Sequence, residues 1–64
     1  MTVKRINMTD YANIYGVYDN GVIVGTIEVK IAGREAGKSF TNAWKAGYTK
    51  RDIRKAYNAW RKAN

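Results

Sequence analysis

The chain has 64 residues, with twelve Lys or Arg, five Asp or Glu, no His and no Cys, and a formal net charge of +7. A chain of this length forms one domain and buries only about 60% of the surface that its unfolded form exposes, so its core is small. The missing Cys and His exclude disulfide bonds, thiolate metal sites and the most common general base. Because the five acidic residues are also scattered, we expect a protein that is not an enzyme and that holds no cofactor or metal.

Neither a membrane span nor a signal peptide is predicted. The sequence has no run of about 18 apolar residues and no hydrophobic segment at its N-terminus. A cytoplasmic location is therefore expected.

The positive charge is confined to the C-terminal part of the chain. Residues 1–37 carry four basic and four acidic side chains, whereas residues 38–64 carry eight basic side chains and a single acid, Asp52. The first part is therefore neutral, and the second part holds the whole charge of +7. This asymmetry indicates an anionic partner, which would be nucleic acid, an acidic protein surface or an anionic membrane.

The neutral part is predicted to form a small antiparallel sheet of two to three strands. Residues 2–8 alternate loosely between polar and apolar and are interpreted as a short first strand. Residues 14–18 and 22–31 are rich in β-branched and aromatic residues, and they flank Asn20-Gly21, the dipeptide most typical of a two-residue hairpin turn. Gly25 is expected at a bulge or at a close approach of the backbone to another element.

A short helix is predicted after this sheet, because a hairpin is unstable in water unless its apolar face is covered. Ser39 is a candidate N-cap, and Phe40, Ala43 and Trp44 follow at helical spacing. Gly47 is the expected residue at the C-terminal end of this helix.

A second, longer helix is predicted from Thr49, a candidate N-cap with Asp52 in the first turn. Its apolar side faces the core and consists of Ile53, Ala56, Tyr57, Trp60 and Ala63. The predicted fold class is thus α+β, a single domain over residues 1–64 in which two C-terminal helices pack on a small antiparallel sheet.

The other side of the longer helix presents an almost continuous basic surface. In order around the circumference it carries Lys50, Arg61, Arg54, Asn58, Arg51, Lys62 and Lys55. Together with Lys38 and Lys45, these are the candidate nucleic-acid-binding residues. Arg51, Arg54 and Asn58 are candidates for base contacts, because Arg reads guanine and Asn reads adenine through paired hydrogen bonds.

Residues 40–60 resemble a helix-turn-helix DNA-binding motif. Ala43, Gly47 and Ile53 have the spacing of three residues of that motif. These are a small residue where the two helices touch, a glycine in the turn and an aliphatic residue that packs the second helix on the rest of the domain. The resemblance implies recognition-helix contacts from Lys50, Arg51, Arg54, Lys55 and Asn58. Ala56 is smaller than the usual residue, and a β-hairpin stands where the motif has a supporting helix. A basic helical hairpin that only packs on the sheet is the alternative.

Two further resemblances concern the chain before the predicted helices. The order of strands and then helix resembles the arm-binding domains of phage integrases, which implies insertion of the sheet into the major groove, but the strands are neutral overall. Residues 33–39 resemble a phosphate-binding loop that is one residue short, in a chain too small for a nucleotide fold. The milder expectation is that Lys38 and the free N–H groups after it bind one backbone phosphate.

Three tyrosines, Tyr11, Tyr15 and Tyr18, lie in or next to the hairpin. They would stack on single-stranded bases if they faced outward. In so small a domain we expect them instead to be half-buried parts of the core.

We therefore expect a non-catalytic protein that binds nucleic acid, duplex DNA in preference to RNA, as a small regulator of the kind that phages and mobile elements encode. The alternative is an inhibitor or adaptor that docks its basic helix on an acidic protein surface. A helix lying on a membrane surface is a weaker option, because the hairpin needs that helix as cover. A homodimer is also considered, because one short recognition helix provides little affinity.

Overall fold

The computed structural model describes all 64 residues, and it contains four strands and one helix. The elements are β1 (Thr2–Met8), β2 (Ala12–Asp19), β3 (Val22–Lys30), β4 (Ser39–Ala43) and α1 (Lys50–Ala63). The strands form one antiparallel sheet in the order β1-β2-β3-β4, so each strand pairs with its neighbour in sequence. No helix of the protein has the length and apolar character that crossing a membrane requires.

The β2–β3 hairpin turns at Asn20-Gly21, as its sequence predicts. Asn20 and Gly21 have φ angles of 51° and 78°, the left-handed conformations that both central positions of a type I′ turn require. Near this turn Val17 pairs with Gly25 and Tyr18 pairs with Ile23, so that Val24 is the extra residue of a bulge.

The predictions of two to three strands and of two helices are wrong. Ser39–Ala43 is not a helix but the fourth strand, in which Ser39 pairs with Val29 and Ala43 with Gly25. The edge of β3 offers unpaired backbone groups along this length, and pairing satisfies them over more residues than one turn of helix would. The helical spacing of Phe40, Ala43 and Trp44 covers too few residues to outweigh that pairing. The α+β class is consistent with the four strands and the single helix.

The core lies between α1 and one face of the sheet. Ile53 and Tyr57 of α1 are buried against Val17, Val24 and Ile27. Ala56 and Trp60 are half-buried beside them, whereas Ala63, expected on the core side, is exposed at the end of the helix.

Gly25 is the point at which α1 comes closest to the sheet. A Cβ atom at this position would lie 2.5 Å from Cγ1 of Ile53 and 2.6 Å from the carbonyl oxygen of Asn42. The missing side chain therefore makes room both for Ile53 and for the pairing of β4 with β3.

Three aromatic rings close the core at the other end of α1. The ring centroids of Tyr15 and Tyr57 are 5.1 Å apart, and that of Trp60 lies 5.5 Å from Tyr15. Both pairs are tilted, as aromatic contacts usually are. Burial raises the pKa of Tyr57, with the nearby Tyr15 as a further cause. Tyr15 is thus a core residue, as expected, whereas the same expectation is wrong for Tyr11, which is 65% exposed, and for Tyr18, whose ring lies over Gly16 on the other face of the sheet.

The loop between β4 and α1 is held to the β2–β3 hairpin at both of its ends. The backbone N–H of Trp44 donates to the carbonyl oxygen of Val24 at 2.8 Å. Tyr48 donates its hydroxyl proton to the carboxylate of Asp19, and this hydrogen bond raises the pKa of Tyr48. These contacts place the start of α1 relative to the sheet.

The N-terminus of α1 is a capping box. Thr49 accepts a hydrogen bond from the N–H of Asp52 at 3.2 Å, and the Asp52 carboxylate accepts one from the N–H of Thr49 at 2.9 Å. The bonds from the Thr49 backbone and side chain lower the pKa of Asp52. The sequence prediction of Thr49 as the N-cap is confirmed.

Replacing Thr49 with alanine is expected to lower the free energy of unfolding by about 1 kcal/mol, measured by urea denaturation at pH 7.

The contribution of the Asp52 carboxylate to the free energy of unfolding depends on pH. Because the folded state lowers this pKa, the carboxylate stabilises the fold above its unfolded pKa of about 3.9 and loses that effect as the pH falls. The stabilities of wild type and an Asp52→Ala variant should therefore converge towards acid pH, and a constant difference would contradict this role.

Candidate nucleic-acid interface

The outward face of α1 presents every polar residue that the sequence places there. All of them are exposed, and none takes part in an ion pair, since the only salt bridge of the protein joins Lys30 and Glu28. The face consists of Lys50, Arg51, Arg54, Lys55, Asn58, Arg61 and Lys62, called the basic face below.

The middle of the basic face forms a shallow hollow of about 320 Å³, with no hydrophobic residue in its lining. Its four lining residues follow the i, i+3, i+4, i+7 spacing of one helix side. They are Arg51, Arg54, Lys55 and Asn58. The hollow thus offers three cations and one amide to an anionic group from a single rigid element.

Arg54 differs from its neighbours because it also contacts the sheet. Its guanidinium Nη2 lies 3.4 Å from the hydroxyl oxygen of Thr41, a buried residue of β4. This contact holds the Arg54 side chain towards the β4 edge of the hollow. The sequence pattern of the helix contains no signal for Thr41, because the pairing of β4 brings it there.

The one acidic residue of α1 offsets the charge of the basic face only in part. Asp52 lies beyond Lys55 on the margin of the face, and its carboxylate accepts a hydrogen bond from the backbone N–H of Thr49. The charges of Lys55 and Arg51 lower its pKa further, but Asp52 forms no ion pair with either of them.

Lys38 and Lys45 lie outside the basic face. Both are exposed, Lys38 directly before β4 and Lys45 in the loop that follows it. The phosphate site expected at Lys38 required a helix N-terminus at Ser39, and this expectation is wrong because Ser39 pairs with Val29 in the sheet. Seven of the nine candidate residues therefore lie together on α1, whereas Lys38 and Lys45 lie near the two ends of β4.

A second hollow adjoins the basic face and has a different character. It has a volume of about 490 Å³ and lies between Met1 and one side of α1, from Asp52 in the first turn to Asn64 at the end of the helix. Trp60 and three alanines supply much of its lining, and Lys55 lines both this hollow and the basic one. An apolar recess and a cationic surface thus meet at Lys55.

No group of three or more acidic side chains is close enough to hold a metal ion, and the chain has no His or Cys. The basic face itself consists of six cations and one amide. Their chemistry is the binding of anions through charge and hydrogen bonds.

No protein-family model, no curated protein and no solved structure matches the chain. The helix-turn-helix resemblance therefore rests on residues 40–60 alone. Where it implies a first helix, the protein has β4 and the loop after it.

Proposed function

We propose that the protein binds nucleic acid without catalysis, with duplex DNA as the preferred form, through the basic face of α1. The observation that carries the proposal is that six exposed cations lie on one 14-residue helix and that none of them is paired with an acid. Arginine and lysine arranged in this way neutralise phosphates, and the release of counterions then drives binding.

The dimensions of α1 suit the major groove. With side chains an α-helix is about 10–12 Å across, and the major groove is about 12 Å wide. At 100° of rotation per residue, Arg54, Asn58 and Arg51 lie at the centre of the basic face. These three would reach base edges. The two arginines would also neutralise phosphates, together with the cations on the two margins, Lys50, Arg61, Lys62 and Lys55.

A protein partner is the second candidate, and the apolar recess beside Lys55 favours it. Interfaces between proteins usually need a buried apolar anchor, which the basic face itself lacks. An acidic segment with one apolar side chain in the Trp60 recess would use both hollows at once. The protein would then act as an inhibitor or adaptor.

The experiment that separates these candidates is fluorescence anisotropy of labelled random duplex DNA, single strand and RNA at several salt concentrations. If about five phosphates are contacted, the logarithm of the duplex association constant should fall against the logarithm of salt concentration with a slope of about −4 to −5. Absence of duplex binding at low salt would overturn the proposal, and absence of binding to all three polynucleotides would favour an acidic protein partner.

A further inference from the structure

One face of the sheet is covered by α1, and the other is open. Thr41 faces α1 through its contact with Arg54, so its neighbours Phe40 and Asn42 point to the opposite side. Phe40 is 41% exposed, and Trp44, which reaches the same side, is 64% exposed. Large aromatic side chains that are exposed side by side on a protein surface often mark a binding site.

The open face is organised around a row of paired residues that crosses all four strands. Lys4 pairs with Gly16, Gly16 with Thr26, and Thr26 with Asn42. We call this the cross-strand row. Each member points away from α1, because its neighbours in the strand point towards it.

Two aromatic rings lie over the middle of this row. A Cβ atom on Gly16 would be 2.9 Å from Cε2 of Tyr18, so the glycine leaves the space that the Tyr18 ring occupies. The indole Nε1 of Trp44 donates to the hydroxyl of Thr26 at 2.9 Å. Because Gly16 and Thr26 are direct partners, the two rings are held above adjacent strands, which are about 4.8 Å apart.

Lysine ammonium groups lie over two of the aromatic rings on the open face. The ammonium of Lys4 lies 5.1 Å from the centroid of Tyr18, and that of Lys30 lies 5.8 Å from the centroid of Phe40. Glu28 is paired with Lys30 at 3.6 Å and offsets part of its charge, so Lys4 is the freer of the two. Aromatic faces next to amines are the chemistry that contacts bases and phosphates of the same nucleotide.

We propose that the open face of the sheet binds unpaired nucleotides of a single-stranded nucleic acid, with bases stacking on Tyr18, Trp44 and Phe40. Duplex DNA does not fit this surface, because its bases are stacked on one another and not free for the rings. A second copy of the chain would bring together two molecules of charge +7 and place amines against amines. The inference does not depend on the basic face, which lies on the opposite side of the molecule.

The test is the affinity for ten-nucleotide oligothymidylate and oligouridylate, measured by fluorescence anisotropy, with the two oligomers distinguishing DNA from RNA. Trp44→Ala and Phe40→Ala should each weaken binding about 5- to 150-fold, since stacking on one base contributes about 1–3 kcal/mol. Trp44→Phe, which keeps a ring, should retain most of the affinity. Tyr11→Ala is the matched control, because Tyr11 is 65% exposed but lies in the β1–β2 turn.

Two outcomes would overturn this inference. One is an unchanged affinity for both oligomers in folded Trp44→Ala and Phe40→Ala proteins, with folding checked by circular dichroism. The other is a homodimer in sedimentation that Trp44→Ala dissociates, since a second copy would then cover the face. Arg51→Glu/Arg54→Glu should weaken single-strand binding no more than Arg5→Glu/Arg34→Glu, which removes the same charge outside α1. Failure of the basic-face proposal is recognised separately, by its effect on duplex binding.

Discussion

A Gly25→Ala variant is expected to lose about 3 kcal/mol or more of its free energy of unfolding. The added methyl group would meet Ile53 Cγ1 at 2.5 Å and the Asn42 carbonyl oxygen at 2.6 Å. Ile53 can change rotamer, but the carbonyl belongs to the backbone of β4 and cannot move without disturbing the pairing with β3. Overpacking of this kind costs about 1–3 kcal/mol or more, against a total stability of about 3–10 kcal/mol for a domain of this size.

Urea denaturation followed by circular dichroism measures this loss, and a double-mutant cycle with Ile53→Ala tests its cause. Ile53→Ala alone should cost about 2–5 kcal/mol, because it leaves a cavity in the core. If the two side chains compete for one space, the double variant loses less than the sum of the two single variants. A Gly25→Ala protein with wild-type stability would contradict the close approach of α1 to the sheet.

The second large effect concerns duplex binding. Arg51→Glu/Arg54→Glu should weaken duplex affinity by about 100-fold or more and reduce the salt slope by about 2, because two cations of the central hollow become anions. Fluorescence anisotropy at constant salt measures the affinity. Since Arg54 also contacts Thr41, an Arg51→Glu/Lys55→Glu variant, which leaves that contact intact, provides a second version of the same test.

The matched control is Arg5→Glu/Arg34→Glu, which changes two exposed arginines outside α1. Each reversal removes two units of charge, so the control and the test variant both fall from +7 to +3. An equal loss of affinity in both would mean that net charge, and not the basic face, holds the duplex. Unchanged affinity in a folded Arg51→Glu/Arg54→Glu protein would exclude this face as the interface.

Several features could be predicted from the sequence because the interactions that produce them are local. The left-handed turn at Asn20-Gly21 depends on two residues, and the capping box depends on Thr49 and on Asp52 three residues later. The periodicity of α1 was sufficient to predict which side is buried by Ile53 and Tyr57 and which side is basic. None of these features requires knowledge of a distant partner.

Other features were decided only by the tertiary structure. Ser39–Ala43 has a spacing that also suits a helix, and it is a strand because the edge of β3 supplies its hydrogen-bond partners. This pairing places Phe40 and Trp44 as exposed rings on the open face of the sheet, and not on one side of a short helix as predicted. It also brings Thr41 to Arg54. Strand pairing joins residues that are far apart in the chain. A short segment whose sequence suits both a helix and a strand therefore becomes a strand where a neighbouring strand supplies its hydrogen-bond partners.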